Sequence, residues 1–189
     1  MDVKPDCIIL GEATENNIKI GHRGAIRCKA TFHGKSVHAS TPQSGVNPHY
    51  AAARFLLKLE EILPDLQTDP DLGQTTVTPT FYHTGMSSDN VVPGKVNISL
   101  DMRSAGETSG DALDIYRSIA SEVCPREMKT EFRLDSRAVQ SYTGLTDPLR
   151  CESEGGYKLE RDNPFVRKAA KVIEDTLSYS PEFEYWKFS

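Results

Sequence analysis

Ala25-Ile26-Arg27-Cys28-Lys29-Ala30-Thr31-Phe32-His33 alternates strictly, with Ile26, Cys28, Ala30 and Phe32 on one side and Arg27, Lys29, Thr31 and His33 on the other. A period of two reads as a strand with one face in a core. Lys95–Arg103 repeats the pattern: Val96, Ile98, Leu100 and Met102 face inward, and Lys95, Asn97, Ser99, Asp101 and Arg103 outward. Between these two strands the spacing predicts a helix that Asn47 caps, with Pro48 at its first position. Its apolar face is Ala51, Ala52, Phe55, Leu56, Leu59, Ile62 and Leu63, and Pro64 stops it. A loop rich in Asp, Pro and Gly (Asp65–Gly73) leads to a strand around Thr75–Thr84. After Lys95–Arg103, Ser109 can cap a second helix with Ala112, Leu113, Tyr116, Ile119, Ala120 and Val123 on one face. Met128, Thr130, Phe132 and Leu134 then alternate in a last strand.

The order is therefore βαββαβ. The handedness of strand–helix–strand crossovers makes this an α+β, ferredoxin-like sandwich: a four-stranded antiparallel sheet with two helices on one face. The flanks fall outside it. Cys7-Ile8-Ile9-Leu10 is a continuous apolar run, the pattern of a strand covered on both faces. Ser136–Tyr157 reads as irregular, Pro164–Leu177 as an amphipathic helix, and Phe183–Ser189 as an apolar tail. These look like edges of an α/β domain in which the sandwich is inserted. The expected division is 1–17 (a strand segment of that domain), 18–137 (the sandwich) and 138–189 (the return), and the chain reads as a fragment.

Composition narrows the function classes. Apolar residues make up 38% and charged residues 26%, with a net charge of −5. That balance is globular, and it lacks the concentrated basic face of a nucleic-acid binder. The strand Lys95–Arg103 also carries no aromatic residue on which a base could stack. No apolar run approaches the roughly 18–20 residues of a membrane span. The N-terminus lacks the apolar core of a signal peptide, and Cys7, Cys28, Cys124 and Cys151 are widely spaced with no C-x-x-C pair. A cytoplasmic protein with structural thiols is expected.

Five residues are candidates for a site. His38 lies in the polar loop Gly34–Pro42 between a strand and a capped helix, held but not buried. On local chemistry alone a solvated loop histidine is the favoured reading. Glu12 ends the first apolar run, where α/β sheets place their sites. Arg23 could fork onto a carboxylate or be a surface arginine. Arg103 could do the same, or form a routine ion pair with Asp101. Asn90, in Asp89-Asn90-Val91-Val92-Pro93, carries no local signal and is a candidate only through the family resemblance of its segment.

Gly34-Lys35-Ser36-Val37-His38-Ala39-Ser40-Thr41-Pro42, followed by Gly45-Val46-Asn47 and a helix, resembles the lid (dimerisation) domain of a zinc-dependent superfamily. That superfamily contains acetylornithine deacetylase, succinyl-diaminopimelate desuccinylase and aminoacylase. Gly11-Glu12-Ala13-Thr14 resembles its Gly-Glu-Pro-Thr segment, with alanine in place of proline, which implies that Glu12 is a carboxylate zinc ligand. Gly21-His22-Arg23-Gly24, Asn90-Val91-Val92-Pro93 and Asp101-Met102-Arg103 resemble segments whose Arg and Asn hold substrate. Ser141-Tyr142-Thr143-Gly144-Leu145 and Tyr185-Trp186-Lys187-Phe188-Ser189 look closest to the selenium-metabolism-linked hydrolase branch.

The resemblance implies cleavage of the amide bond of an N-acyl or N-carbamoyl amino acid or short peptide at a two-zinc site. His38 would donate a hydrogen bond to the oxyanion in a partner's active site, and the lids would form a homodimer. The other metal ligands and the general base are not matched in this chain, so the chain alone is expected to be inactive. The competing reading is a non-enzymatic ferredoxin-like module that dimerises or binds a small ligand, since this fold hosts many functions.

Overall fold

A computed structural model of the 189-residue chain describes residues 4–86, 88–151 and 155–187. The elements begin with β1 (Ile18–His22), β2 (Gly24–His33), β3 (Val37–His38) and α1 (Pro48–Ile62). Next come β4 (Thr68–Asp69), β5 (Gly73–Gln74), β6 (Thr76–His83), β7 (Val91–Val92), β8 (Lys95–Ser104) and α2 (Ser109–Val123). The chain continues through β9 (Thr130–Leu134), β10 (Ser136–Gln140), β11 (Thr146–Cys151), β12 (Tyr157–Lys158), α3 (Pro164–Leu177) and β13 (Phe183–Trp186).

The ferredoxin-like sandwich is present. Its four-stranded sheet has the order β6-β8-β2-β9, and every neighbouring pair is antiparallel. The two alternating strands that decide the fold are its centre, paired without a break from Gly24↔Ser104 to His33↔Lys95. One face of that ladder carries Ile26, Cys28, Ala30, Phe32, Val96, Ile98, Leu100 and Met102, all buried. Ala51, Ala52, Phe55 and Leu59 of α1 and Ala112, Tyr116, Ile119 and Ala120 of α2 close over it. Phe32, Phe55, Tyr116 and Phe132 form the aromatic centre, with ring centroids from 5.3 to 6.4 Å apart. Such pairs add about 0.5–1.5 kcal/mol each beyond area burial. The opposite face is polar, with Lys29 on Asp135 at 2.7 Å and Thr31 on Asn97 at 2.9 Å.

The flanks form a smaller unit. β1 is the middle strand of β12-β1-β13, antiparallel to β12 and parallel to β13, with α3 packed against it. The chain passes from one sheet to the other at Arg23. Two crossing segments meet there so closely that a Cβ on Gly21 would lie 2.5 Å from the Tyr157 carbonyl oxygen. One on Gly156 would lie 2.7 Å from the Gly24 nitrogen. Lys158 then bridges back to the β4–β5 hairpin, 2.9 Å from both Asp69 and Asp71.

Several local expectations change. Cys7–Leu10 forms no strand; Ile8, Ile9 and Leu10 are 72–83% exposed. A buried-type strand exists only through its ladder neighbours, and none of the described residues pairs with this run. Ser136–Tyr157 is not irregular throughout: β10 and β11 form a hairpin closed at Ser141–Gly144, where Gly144 adopts φ +84°. The loop Asp65–Gly73 contains most of the β4–β5 hairpin. The cap of α2 is Thr108, not Ser109, because Thr108 and Asp111 satisfy each other's backbone N–H in a capping box.

Glu107, 7% exposed, locks the connection between β8 and α2. Its carboxylate accepts from Thr75 Oγ1 at 2.5 Å, the Gln67 N–H at 3.0 Å and Ser104 Oγ at 3.2 Å. Burial pushes its pKa up, but these donors outweigh burial and hold it below the ordinary carboxyl value. Its stabilising contribution is therefore present above about pH 4.3 and lost as pH falls through the lower folded value. Tyr116 is the contrast: its hydroxyl is buried with no hydrogen-bond partner among the described residues. Glu107→Gln should cost about 1–3 kcal/mol, because an amide nitrogen would face donors. Tyr116→Phe should be neutral or stabilising by about 1 kcal/mol. Urea unfolding of both variants checks this; a Tyr116→Phe protein less stable than Glu107→Gln would contradict it.

Candidate active-site residues

The five candidates fall into three places. His38 and Asn90 come together. β3 and β7 pair His38↔Val91 and Val37↔Val92, and Ala39 N–H donates to the Asn90 carbonyl at 2.8 Å. Gly34 N–H donates to the Gly94 carbonyl at 2.8 Å, so the two loops that follow β2 and precede β8 run side by side. Both side chains are exposed.

Their hydrogen bonds fix which atoms face outward. The Ser40 backbone N–H, which can only donate, points at His38 Nδ1 at 3.2 Å, and Ser40 Oγ lies 2.7 Å from the same atom. Nδ1 is therefore the acceptor, and the neutral ring carries its proton on Nε2. Ser88 Oγ donates to Asn90 Oδ1 at 2.5 Å, leaving the Asn90 Nδ2 hydrogens as donors. His38 Nε2 and Asn90 Nδ2 sit 3.4 Å apart. Two N–H donors cannot satisfy one another. Side by side on an exposed surface, they suit an oxygen acceptor such as a polarised carbonyl.

Arg23 and Arg103 lie at the other end of the β2–β8 ladder, where Arg103 pairs with Ala25, the residue after Gly24. Arg103 forks onto Asp101, with Nε to Oδ1 at 2.7 Å and Nη2 to Oδ2 at 3.1 Å. The Arg23 guanidinium donates to the Lys187 carbonyl at 2.6 Å and the Gln74 carbonyl at 2.8 Å. Burial and the neighbouring Arg103 charge lower its pKa from the ordinary value. Two guanidinium groups held near each other favour an anion between or beside them.

Glu12 stands apart, exposed in the segment before β1. Among the described residues no three His, Cys, Asp or Glu side chains gather as metal ligands. A single exposed carboxylate among the described residues does not by itself make a two-zinc site.

Sequence reasoning missed Ser40, Ser88 and Glu107. Ser40 and Ser88 stand two residues from the side chains they orient, the spacing of local Ser/Thr turns, and that spacing is a signal. Glu107 acts across more than thirty residues, on Thr75, and has no local signal.

A family model described as peptidase dimerisation domain, of the M20 type, matches residues 20–128. The chain belongs to this M20 peptidase family. Succinyl-diaminopimelate desuccinylase 2 of Shewanella loihica is 38% identical over 86 residues, covering 46% of this chain and 22% of that enzyme. Succinyl-diaminopimelate desuccinylase 1 of Alteromonas mediterranea is 30% identical over 128 residues, covering 65% of this chain and 33% of that enzyme. The chain thus spans a third or less of these two curated relatives. A tripeptidase structure from Staphylococcus aureus shares the fold with TM-score 0.60 and 20% identity, over 90% of this chain and 39% of that one. A hydantoinase/carbamoylase family amidase from Burkholderia ambifaria does so with TM-score 0.59 and 18% identity, over 92% of this chain and 38% of that one. No helix among the described residues is long and apolar enough to cross a membrane.

The hydrogen-bond pattern around His38 predicts the Nε2–H tautomer whenever the ring is neutral. Long-range ¹H–¹⁵N correlation spectra distinguish the tautomers directly, and a neutral His38 protonated on Nδ1 would contradict the donor pair.

Proposed function

We propose that this chain is the lid and dimerisation part of a zinc-dependent amide hydrolase, acting on an N-acyl or N-carbamoyl amino acid or a short peptide. His38 and Asn90 donate to the carbonyl oxygen as it gains negative charge, and Arg23 and Arg103 hold the substrate carboxylate. Glu12 contributes one carboxylate to a metal whose other ligands are not among the described residues. The sandwich is the lid. The three-stranded sheet and α3 go with the catalytic side.

One observation carries the assembly. The donor pair and the arginine pair sit at opposite ends of a ladder of ten residue pairs. At about 3.4 Å per residue that is roughly 30 Å, too far for one small amide to touch both. A homodimer removes the distance. Isologous pairing of two identical edge strands makes them antiparallel, so the partner's sheet runs the opposite way. The His38 end of one lid then lies beside the Arg103 end of the other, and His38 acts in trans.

β6 is the edge suited to this. It is an outer strand, and Thr76–His83 contains no Asp, Glu, Lys or Arg. Phe81 is 60% exposed. Tyr50 and Leu57 form an exposed apolar stripe on α1, and the start of α1 abuts the end of β6 through His49 and Tyr82, 2.6 Å apart. An uncharged open edge beside an apolar helix face is a template for a second copy.

Phe81→Lys with Leu57→Lys should convert the chain from dimer to monomer at about ten micromolar, a change sedimentation velocity resolves. A wild-type chain that is already monomeric would defeat the assembly. In the enzyme that contains this chain, His38→Ala should lower kcat by about 10²–10³ with little change in KM. Arg103→Ala should mainly raise KM. An unchanged kcat in His38→Ala would overturn the assigned role.

A further inference from the structure

The second edge of the sheet, β9, is built differently. Its ladder with β2 alternates in the usual antiparallel way. His33 N–H donates to the Lys129 carbonyl at 2.9 Å and Asp135 N–H to the Arg27 carbonyl at 2.7 Å. Residues 129, 131, 133 and 135 therefore turn their backbone toward β2. Thr130, Phe132 and Leu134 turn their N–H and C=O groups outward, where no further strand pairs with them among the described residues.

That free edge forms one wall of a groove of about 710 Å³, whose other wall is the end of α2. Ala120, Cys124 and Phe132 supply its apolar surface, and Arg117, Arg126 and Arg133 line it with Glu131 as the one carboxylate. Glu131 is already shared between Lys129, at 2.6 Å, and Arg133. Arg117 pairs with Asp114 at 3.1 Å, while Arg126 makes no ion pair among the described residues. The lining is thus net positive on a chain of net charge −5. Charges along an edge discourage pairing with a second identical edge. They favour a strand of opposite charge.

We propose that the groove between α2 and β9 binds an acidic extended peptide segment as a fifth strand of the sheet. The outward backbone groups of Thr130, Phe132 and Leu134 supply the ladder. Alternate apolar side chains of the segment would enter the groove against Phe132 and α2, and its carboxylates would meet Arg126 and Arg133. This is strand addition with charge selection, and it is independent of the β6 edge.

The test uses the whole chain and two capped hexapeptides, acetyl-Val-Glu-Val-Asp-Val-Glu-amide and its counterpart with lysine at every acidic position. Titration is followed by fluorescence anisotropy and backbone amide exchange. The acidic peptide should bind and slow exchange at Thr130, Phe132 and Leu134, and the lysine peptide should bind at least about tenfold more weakly. Arg126→Glu, which disturbs no ion pair, and Arg133→Glu should each weaken the acidic peptide by about tenfold or more. Phe81→Lys, on the other edge, should leave it unchanged. No binding at millimolar peptide, equal binding of both peptides, or unchanged exchange at the three amides would overturn the proposal.

Discussion

The ladder between β2 and β8 governs the rest of the structure. Because side chains alternate with a period of two, a slip of one residue would expose Phe32, Val96, Ile98, Leu100 and Met102 and bury Arg27, Lys29 and Asp101. The register Gly24↔Ser104 to His33↔Lys95 avoids that outcome at every position. Both helices depend on it, since their apolar faces have no other surface to cover. Both site clusters depend on it as well. One end of the ladder feeds the loops that carry His38 and Asn90, and the other presents Arg103 beside Arg23.

The separation of those clusters gives the fold a functional logic. A rigid ladder cannot bring its own ends together. A two-fold partner, running antiparallel, can place its His38 end where this lid has its arginine end. In the assembly proposed above, dimerisation is part of the candidate site. The junction at Arg23 adds a second constraint. The close crossing of Gly21 and Gly156, the Arg23 bonds to Gln74 and Lys187, and the Lys158 bridge to Asp69 and Asp71 tie the sandwich to the three-stranded unit. These contacts set how the arginine end faces that unit.

What the sequence made legible follows from locality. β2, β8, α1 and α2 are amphipathic with clear periods, so their faces and order could be read residue by residue. α3 likewise matches its expected span, Pro164–Leu177, because Asn163 and Pro164 mark its start. Features made by partners distant in sequence could not be read this way. β1 acquires its meaning from β13, more than 150 residues away, and Glu107 from Thr75. Cys7–Leu10 shows the converse, a strand-like composition without a ladder. Of the candidate site, the residue types were visible in the motifs, but the outward Nε2–H and the distance between the clusters arise only where the folded chain brings separate loops and strands together.

The central claim, that the donor pair of one lid meets the arginine end of its partner, is tested by one distance. Chains labelled at Ser40→Cys are mixed with chains labelled at Gly110→Cys, near the start of α2 and the Arg103 end, after Cys7, Cys124 and Cys151 have been replaced. Pulsed dipolar spectroscopy then reads only the distance between subunits. Antiparallel pairing through β6 predicts a population at about 15–30 Å, set by strand spacings of about 4.8 Å and the label length. Absence of coupling, or a single distance beyond about 45 Å, would contradict assembly through that edge and with it the action of His38 in trans.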